Sequence, residues 1–167
     1  MAIEGTAHTF GANVNTDYIT PTDYFGEPIE EIAAHVFEPI APDFHDRFSP
    51  GDVVVAGPNF GSGSSRETAP KALSVAGVSA VVADSFARIF YRNGIAIGLP
   101  VITSAGVSEM VAQGDRVRVD FEDQRVHDET TGESRPIEPM PEAIRSIFDA
   151  GGLLAHYEAY PEGLDLA

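Results

Sequence analysis

The segment from Gly57 to Glu67 combines small residues, hydroxyl groups and one guanidinium in a spacing that suits the binding of an anion. It reads Gly57-Pro58-Asn59-Phe60-Gly61-Ser62-Gly63-Ser64-Ser65-Arg66-Glu67, and we call it the glycine–serine loop. Small residues let the backbone approach a ligand, and the first N–H groups of a following helix favour a negative group such as a carboxylate. The sequence predicts an anion site here, although a tight turn capped by Ser64 or Ser65 would need the same residue types.

The glycine–serine loop matches neither of the common nucleotide-binding loops. No Gly-Lys-Ser or Gly-Lys-Thr follows Gly57 or Gly61, as a Walker loop requires. Gly61 and Gly63 are followed by Arg66 where the dinucleotide fingerprint requires a third glycine. A nucleotide is therefore disfavoured as the bound anion.

The glycine–serine loop is expected to lie within a strand–loop–helix–strand unit. Asp52–Ala56 is a β-branched run short enough for a buried strand, and Val78–Ala83 is a second apolar strand. Between them, Glu67–Ala76 is expected to form a helix that ends at Gly77. This order indicates two parallel strands joined by a crossover helix.

The rest of the chain alternates strands and helices and then changes to a period of two at Val117–Phe121, which predicts an antiparallel hairpin. With 167 residues, 43% of them apolar, one mixed α/β domain over residues 1–167 accounts for the chain, and residues 160–167 are expected to fray. The other expected elements are a strand at Ala7–Phe10, a helix from Pro28 through Phe37, a helical turn at Asp43–Phe48, a helix from Ser85 to Asn93, a strand at Leu99–Thr103, a helix at Ser104–Gln113, the second hairpin strand at Arg125–His127 and a helix at Pro141–Ala150.

The chain has no cysteine, so it cannot supply a disulfide, a thiol nucleophile or the thiolate ligands of zinc or of an iron–sulfur cluster. Its five histidines show no paired spacing, and we expect no metal site. The uncharged stretches Ala72–Ala83 and Gly94–Ser108 are shorter than the roughly 18 to 20 apolar residues that cross a bilayer. The amino terminus also lacks a secretory signal, so we expect no membrane span and a cytoplasmic location.

The charge balance is strongly acidic, with 26 Asp and Glu against 10 Lys and Arg and a formal net charge of −16. Such a field repels nucleic acid and anionic lipid, so neither is expected as a partner. The excess of acids and the single lysine, Lys71, favour a halophilic protein from a salt-rich cytosol, where self-repulsion is screened. An ordinary acidic protein is the alternative.

Three motifs in a fixed order resemble one enzyme family. They are Asn15-Thr16-Asp17-Tyr18-Ile19-Thr20-Pro21, the part of the glycine–serine loop from Asn59 onward, and Ser85-Phe86-Ala87-Arg88-Ile89-Phe90-Tyr91-Arg92-Asn93 followed by Gly98-Leu99-Pro100. Together they extend over about ninety residues and resemble the small subunits of 3-isopropylmalate dehydratase, which belong to the aconitase superfamily. The later Gly151-Gly152-Leu153 is similar to the ending of that family.

The resemblance implies a fold, a reaction and a partner. The fold would be a swivelling β/β/α domain with mixed parallel and antiparallel strands, like the C-terminal domain of aconitases. The reaction would be the isomerisation of 2-isopropylmalate and 3-isopropylmalate by dehydration and rehydration in leucine biosynthesis. A large subunit would carry the [4Fe–4S] cluster, which agrees with the missing cysteines, and the substrate would be a small 2-hydroxy dicarboxylate or tricarboxylate.

The resemblance also implies roles for single residues. Ser64, the first serine of the family's Ser-Ser-Arg-Glu motif, would be the base that removes a proton from the carbon next to a carboxylate, and Arg66 would clamp that carboxylate. A serine hydroxyl is a poor base unless its anion is stabilised, so this step requires a helix N-terminus and a guanidinium nearby. The other expected site residues are Gly63, Ser65, Tyr24 and Phe25 for substrate binding and Asp17, Asn59 and Glu67 for support.

Two positions depart from the family pattern. Thr68 stands where the family usually has histidine, which removes a ring that could orient its neighbours but leaves the base and the clamp intact. Tyr24-Phe25-Gly26-Glu27 replaces the family's Tyr-Leu and short specificity segment, so we expect this loop to contact the variable side chain of the substrate.

The roles of several charged residues stay open at the level of sequence. Arg88 and Arg92 are four residues apart on one face of a predicted helix, and structural or interface roles are favoured for them. Asp17 could orient the site loop, or Asn15 could simply form an Asx turn there.

Two rival functions also stay open. One keeps the chemistry and changes the substrate to homoaconitate or dimethylmalate. The other is a carboxylate-binding module with no turnover. The set Ser64, Arg66 and Glu67 favours the enzyme, whereas Thr68 leaves the binding module possible.

We predict that the melting temperature of the chain rises from dilute buffer to molar KCl. The net charge of −16 is screened over about 10 Å at 0.1 M salt but over about 3 Å at 1 M, so self-repulsion weakens. Each kcal/mol of relieved repulsion should raise the melting temperature by roughly 2–4 °C. Thermal melts across KCl concentrations measure the effect, and a flat or falling melting temperature would remove the halophilic interpretation.

Overall fold

A computed structural model describes residues 2–64 and 66–162 of the chain. Ser65, which was expected to bind substrate, and residues 163–167 of the expected tail lie outside the described residues. The strands are β1 (Ala2–Phe10), β2 (Val53–Ala56), β3 (Ala80–Ala83), β4 (Val101–Thr103), β5 (Arg116–Asp120), β6 (Arg125–Asp128) and β7 (Ser134–Pro136). The helices are α1 (Thr16–Ile19), α2 (Ile29–Ala33), α3 (Phe44–Arg47), α4 (Thr68–Ala76), α5 (Arg88–Ile97), α6 (Val107–Met110), α7 (Glu142–Ala150) and α8 (Leu153–Ala159), and a 3₁₀ turn covers Thr22–Tyr24.

The seven strands form one mixed sheet in the order β4-β3-β2-β1-β5-β6-β7. Strands β1 to β4 are parallel neighbours, whereas β5, β6 and β7 pair antiparallel in succession. Strand β1 belongs to both halves, because Ala2–Thr6 pair antiparallel with β5 and Ala7–Phe10 pair parallel with β2. The mixed α/β fold class is confirmed, and the strand expected at Ala7–Phe10 is the second half of β1.

The parallel strands are buried on both faces, which explains their uninterrupted apolar runs. Because side chains alternate along a strand, Val53 and Val55 face a cluster that includes α6 and β5, while Val54 and Ala56 face a cluster that includes α4 and α5. The expected crossover helix is confirmed as α4 between β2 and β3, and it ends at Gly77 with a left-handed φ of 101°. The sheet is therefore packed on both faces, and this packing fixes the ends of the strands from which the loops emerge.

The helix expected from Pro28 through Phe37 is shorter in the structure and ends at Ala33. Phe37 adopts a left-handed φ of 63°, and its N–H donates to the carbonyl of Ile19 at 3.1 Å. This bend buries the Phe37 ring, which stacks on Phe10 with ring centroids 4.1 Å apart. The free energy gained by burying the large Phe37 ring exceeds what one more helical turn would contribute, so the helix ends early.

The helix expected to start with a Ser85 cap begins three residues later, at Arg88, and Ala87 is its N-cap. The hydroxyl of Ser85 instead accepts the backbone N–H of Asn59 at 2.8 Å. The capping prediction was wrong because this hydroxyl is used between segments rather than within its own helix. It ties the chain after β3 to the glycine–serine loop.

The helix expected at Ser104–Gln113 is reduced to the single turn α6. The Ser104 hydroxyl donates to the carbonyl of Pro136 at 2.9 Å, and Gly106 has a left-handed φ of 81°, so a helix cannot begin at Ser104. Strand β7 and helix α8 were not expected, since each is too short to show a clear period. None of the helices in the described ranges has the length and apolar character needed to cross a bilayer.

Candidate functional site

The three sequence motifs meet at one edge of the sheet, where they continue beyond the carboxyl ends of β1, β2 and β3. The glycine–serine loop follows β2 and lies between the other two segments. On one side Gly61 N–H donates to Val14 O, and Thr16 N–H donates to Ser62 O, both at 2.8 Å. These main-chain bonds, with the bridge between Asn15 and Ser62, extend the parallel pairing of β1 with β2 into the loops.

The other side of the glycine–serine loop is bonded to the segment after β3. Phe60 N–H donates to Ser85 O at 3.1 Å, and Ala87 N–H donates to Phe60 O at 2.9 Å. Loops at the carboxyl ends of adjacent parallel strands are the usual place for a ligand in open α/β sheets. The sheet order therefore explains why motifs far apart in sequence share one site.

A cleft of 610 Å³ opens between the glycine–serine loop and the start of α5. Three of its lining residues are arginines and none is an aspartate or glutamate, although the chain has 26 acids. The lining residues are Thr16, Asn59, Gly61, Gly63, Ser64, Arg66, Phe86, Ala87, Arg88, Ile89, Phe90 and Arg92.

Glycine is required at two positions of the loop. Gly61 has a φ of 82°, and a Cβ atom there would overlap Phe90, with the ring Cδ2 only 2.6 Å away. Gly63 has a φ of 98°, and its Cβ would lie 2.6 Å from Asn15 Oδ1. Both the left-handed backbone and the close approach of neighbouring segments exclude other residues.

Ser64, the expected base, is exposed at the cleft and is positioned through its backbone. The hydroxyl of Thr16 donates to Ser64 O at 3.2 Å, and the two hydroxyl oxygens lie 3.5 Å apart. Ser64 O also accepts the N–H of Arg66 at 2.9 Å. The Ser64 hydroxyl is therefore held at the surface of the cleft and open to a bound ligand.

Arg66, the expected clamp, is held from two sides. Its guanidinium carbon lies 3.7 Å from the centroid of the Phe25 ring, and Nη1 lies 3.7 Å from Asp17 Oδ1. The second distance is too long for a hydrogen bond, but both atoms are buried and neither has another partner in the described part of the chain, so they form a long ion pair. Arg66 also lines the cleft, where the rest of its guanidinium suits the planar fork of a carboxylate.

Of the two sequence interpretations of the Asp17 segment, the Asx turn is confirmed, and a role of Asp17 in orienting the site stays a prediction. Asn15 Oδ1 accepts the N–H of Asp17 at 2.8 Å and caps α1, so the Asx turn is present. The carboxylate of Asp17 also faces Arg66, as expected for a residue that orients the site.

The remaining expected residues lie at different distances from the cleft. Asn59 lines it, has a φ of 61°, and donates from Nδ2 to Asn13 Oδ1 at 3.0 Å, which supports the loop. Glu67 is exposed at the start of α4 and makes no capping hydrogen bond. Phe25 reaches the site only through its stack on Arg66.

Tyr24 is turned away from the cleft lining and stacks on His35, with ring centroids 3.8 Å apart and the planes 8° from parallel. Desolvation of the Tyr24 hydroxyl and the nearby carboxylate of Glu38 raise the pKa of Tyr24 above its ordinary value. A neutral, stacked ring of this kind anchors the loop that carries Phe25. Tyr24 thus has a supporting position in the structure rather than one that faces a ligand.

Sequence reasoning did not place the start of α5 at the site, and it assigned the helix dipole to the wrong helix. Arg88 and Arg92, for which structural or interface roles were favoured, line the cleft. The helix whose first turn reaches the cleft is α5, whereas α4 begins at Thr68, beyond the lining residues. The spacing of the two arginines on one helix face was the available signal, but the adjacency of β2 and β3 was needed to interpret it.

The described ranges contain no group of three or more His, Asp and Glu side chains arranged to hold a metal ion. The chain has no cysteine either, so its own residues do not fit an iron–sulfur cluster. What the cleft offers is a hydroxyl, several guanidinium groups and a helix N-terminus, which together suit the binding of a carboxylate and the transfer of a proton.

We predict that Gly61→Ala destabilises the protein more than Gly132→Ala does. Both glycines have a φ of 82°, but a Cβ at Gly132 meets nothing within 4 Å, so this variant measures backbone strain alone. That strain costs about 1–2 kcal/mol, and the overlap with Phe90 should add about 1–3 kcal/mol for Gly61→Ala. Urea unfolding of both variants measures the difference, and equal losses would show that the loop does not depend on its contact with α5.

Comparisons with known proteins agree with the geometry. The family model of the aconitase C-terminal domain matches residues 36–105. The chain is 47% identical to an isopropylmalate/citramalate isomerase small subunit of Methanocaldococcus jannaschii, with 92% of each protein covered. It is 45% identical to a 3-isopropylmalate dehydratase small subunit of Archaeoglobus fulgidus, with 96% of this chain and 97% of the relative covered.

A solved structure gives the same result for the fold. The crystal structure of 3-isopropylmalate dehydratase from Methanocaldococcus jannaschii matches with a TM-score of 0.90 and 38% sequence identity, covering 97% of this chain and 96% of that one. Similarity at this level extends over both the parallel and the antiparallel half of the sheet. This chain therefore belongs to the family of 3-isopropylmalate dehydratase small subunits.

Proposed function

We propose that this chain is the small subunit of a hydro-lyase that interconverts 2-isopropylmalate and 3-isopropylmalate in leucine biosynthesis. The observation that carries the proposal is the cleft in which Ser64 and Arg66 lie together without any carboxylate in the lining. The names of the relatives support the reaction, since the similarity covers nearly the whole length of both chains.

In this reaction, Ser64 would exchange a proton with the carbon next to a substrate carboxylate. Ser64 would enter the reaction as an alkoxide, become a hydroxyl when it accepts that proton in dehydration, and return to the alkoxide in rehydration when it gives the proton to the carbon that lost the hydroxyl group. The guanidinium of Arg66 and the N-terminal dipole of α5 at the cleft would stabilise this negative oxygen. One serine oxygen therefore serves both half-reactions, and its alkoxide is regenerated at the end.

Arg66 would hold the carboxylate beside the carbon that loses the proton. Phe25 covers one face of its guanidinium, and Asp17 lies to the side, so the orientation of the fork is restricted before the substrate binds. Such positioning lowers the entropic cost of reaching the reactive geometry. The stack also supports a role for the loop Tyr24–Glu27 in selecting the substrate, with Phe25 as its contact to the site.

We assign the remaining parts of the reaction to a partner. The name small subunit, given to the relatives, supports a large-subunit partner, and the absence of cysteine here supports placing the [4Fe–4S] cluster on that partner. Departure of the substrate hydroxyl would then depend on the large subunit, while this chain provides the base and the clamp. The net charge of −16 supports a salt-rich cytoplasm as the place of assembly.

Anaerobic assembly with a large subunit tests the proposed function. The expected result is interconversion of 2-isopropylmalate and 3-isopropylmalate by the complex and by neither chain alone. A panel with citramalate, homoaconitate and dimethylmalate decides the substrate. A complex that assembles but turns over none of these acids would contradict the proposal and favour a binding module.

We predict that substitutions of Ser64 and of Arg66 change different kinetic constants of the assembled enzyme. Ser64→Ala removes the proton acceptor, so turnover should fall by roughly 10²–10⁴-fold while KM changes little. Arg66→Lys keeps the charge but loses the bidentate fork, so KM should rise with a smaller effect on turnover.

Ser62→Ala is the matched control for these kinetics, because Ser62 belongs to the same loop but does not line the cleft. It should retain nearly the kinetics of the unchanged enzyme. Ser64→Ala with full turnover would show that another group is the base.

A further inference from the structure

The cleft concentrates positive charge on a protein that is otherwise acidic. Arg66 comes from the glycine–serine loop, and Arg88 and Arg92 come from the first two turns of α5. These are three of the ten cations of the chain, against 26 acids elsewhere and none in the lining. A dianion would be repelled by the rest of the surface but attracted here.

In the described part of the chain, Arg88 and Arg92 have no anionic partner, in contrast to three other arginines of the surface. Arg47, Arg116 and Arg118 each lie within 4 Å of a carboxylate. Across the described residues, neither Arg88 nor Arg92 makes an ion pair or a side-chain hydrogen bond, and both are exposed. Two unpaired guanidinium groups beside one cleft leave their binding capacity for a molecule that enters it.

The first turn of α5, which lines the same side of the cleft, also has backbone N–H donors without an acceptor in the helix. The N-cap of α5 is Ala87, which supplies no capping side chain, and the first turn contains no acid. Arg88, Ile89 and Phe90 all line the cleft, and their N–H groups precede the first possible intrahelical acceptor. The helix dipole therefore adds to the charge of the two arginines.

Arg66 also lines the cleft, with about a third of its side chain exposed (34%), and only its buried Nη1 is directed at Asp17, so the rest of its guanidinium can bind an anion. Arg66 can hold only one carboxylate in a bidentate manner, whereas the proposed substrate has two. The second carboxylate would remain without a partner on this chain unless α5 binds it. Arg88 and Arg92 of α5 lie in the same lining and could bind it.

We propose that Arg88 and Arg92, together with the first turn of α5, form a second carboxylate subsite, so that this chain holds both carboxylates of a dicarboxylate substrate. One carboxylate binds Arg66 beside Ser64, and the other binds the α5 wall. The inference rests on the proposed function in requiring a dicarboxylate. It goes beyond that function in assigning the second carboxylate to this chain and to these two arginines.

Kinetics of the assembled enzyme test the subsite. Arg88→Gln, Arg92→Gln and the double variant should raise KM for 2-isopropylmalate, by about tenfold or more in the double variant, with turnover changed less than about threefold. Arg145→Gln on α7 is the matched control, because Arg145 is an arginine outside the cleft, and it should leave KM unchanged.

The same kinetics separate the substrate from a protein partner. KM is measured both below saturation and at saturation with the large subunit, and the affinity between subunits is measured in parallel. An unchanged KM in the double variant would overturn the proposal. A rise in KM that disappears at saturating large subunit would overturn it as well, since the two arginines would then bind an acidic surface of the partner.

Binding to the isolated full chain distinguishes failure of the subsite from failure of the proposed function. Backbone amide NMR is recorded with 2-isopropylmalate, with succinate, and with the monocarboxylate isovalerate. Dicarboxylates should shift amides of both Gly61–Ser64 and Arg88–Phe90, and Arg88→Gln should abolish the second set, whereas isovalerate should shift only the first.

Dicarboxylates that leave the amides of Arg88–Phe90 unmoved would contradict the subsite. If the assembled enzyme proves inactive on 2-isopropylmalate while dicarboxylates shift both sets, the proposed function fails and the subsite stands.

Discussion

The site depends on main-chain hydrogen bonds that continue the parallel sheet past the ends of its strands. The glycine–serine loop is bonded on one side to Val14 and Thr16 and on the other to Ser85 and Ala87. Backbone bonds of this kind leave the side chains free, so the same residues can be placed accurately and still present their functional groups to a ligand. Gly61 is essential to this arrangement, because only a residue without Cβ allows the loop to lie against Phe90.

The charges of the chain are distributed unevenly around the hydrogen-bonded loops. An acidic surface surrounds a cleft whose lining contains three arginines and no acid. Asp17 pairs with the buried Nη1 of Arg66 at 3.7 Å and restrains the guanidinium. Arg88 and Arg92 have no such partner among the described residues, so the cleft stays positive and can attract a carboxylate. In the proposed reaction, a negative oxygen on Ser64 would benefit from the same field, so binding and proton transfer would depend on one arrangement of charges.

Local patterns were sufficient to predict the parts of the fold that local physics decides. The apolar runs of β2 and β3, the helix α4 and its end at Gly77 all follow from side-chain type and from the left-handed preference of glycine. The prediction of an anion site at the glycine–serine loop rests on the same kind of local pattern. Its family resemblance supplied the roles of Ser64 and Arg66, which residue spacing alone left undecided.

Contacts between distant segments explain what the sequence did not predict. Phe37 leaves the helical pattern because its ring stacks on Phe10, which is far away in sequence. Ser85 looked like a helix cap, but its hydroxyl bonds to the loop after another strand. Arg88 and Arg92 shared a helix face in the sequence, yet only the adjacency of β2 and β3 brings that face to the cleft.

Native-state hydrogen exchange of the amides of Thr16, Gly61 and Ala87 tests the central claim most directly. Each of these amides donates across a boundary between two of the three loop segments, at 2.8 to 2.9 Å. We predict that all three amides are protected and open together, with the same free energy and the same dependence on denaturant. Exchange of any of them near the rate of an unstructured peptide, while the amides of β2 stay protected, would contradict the claim that the sheet continues into the site.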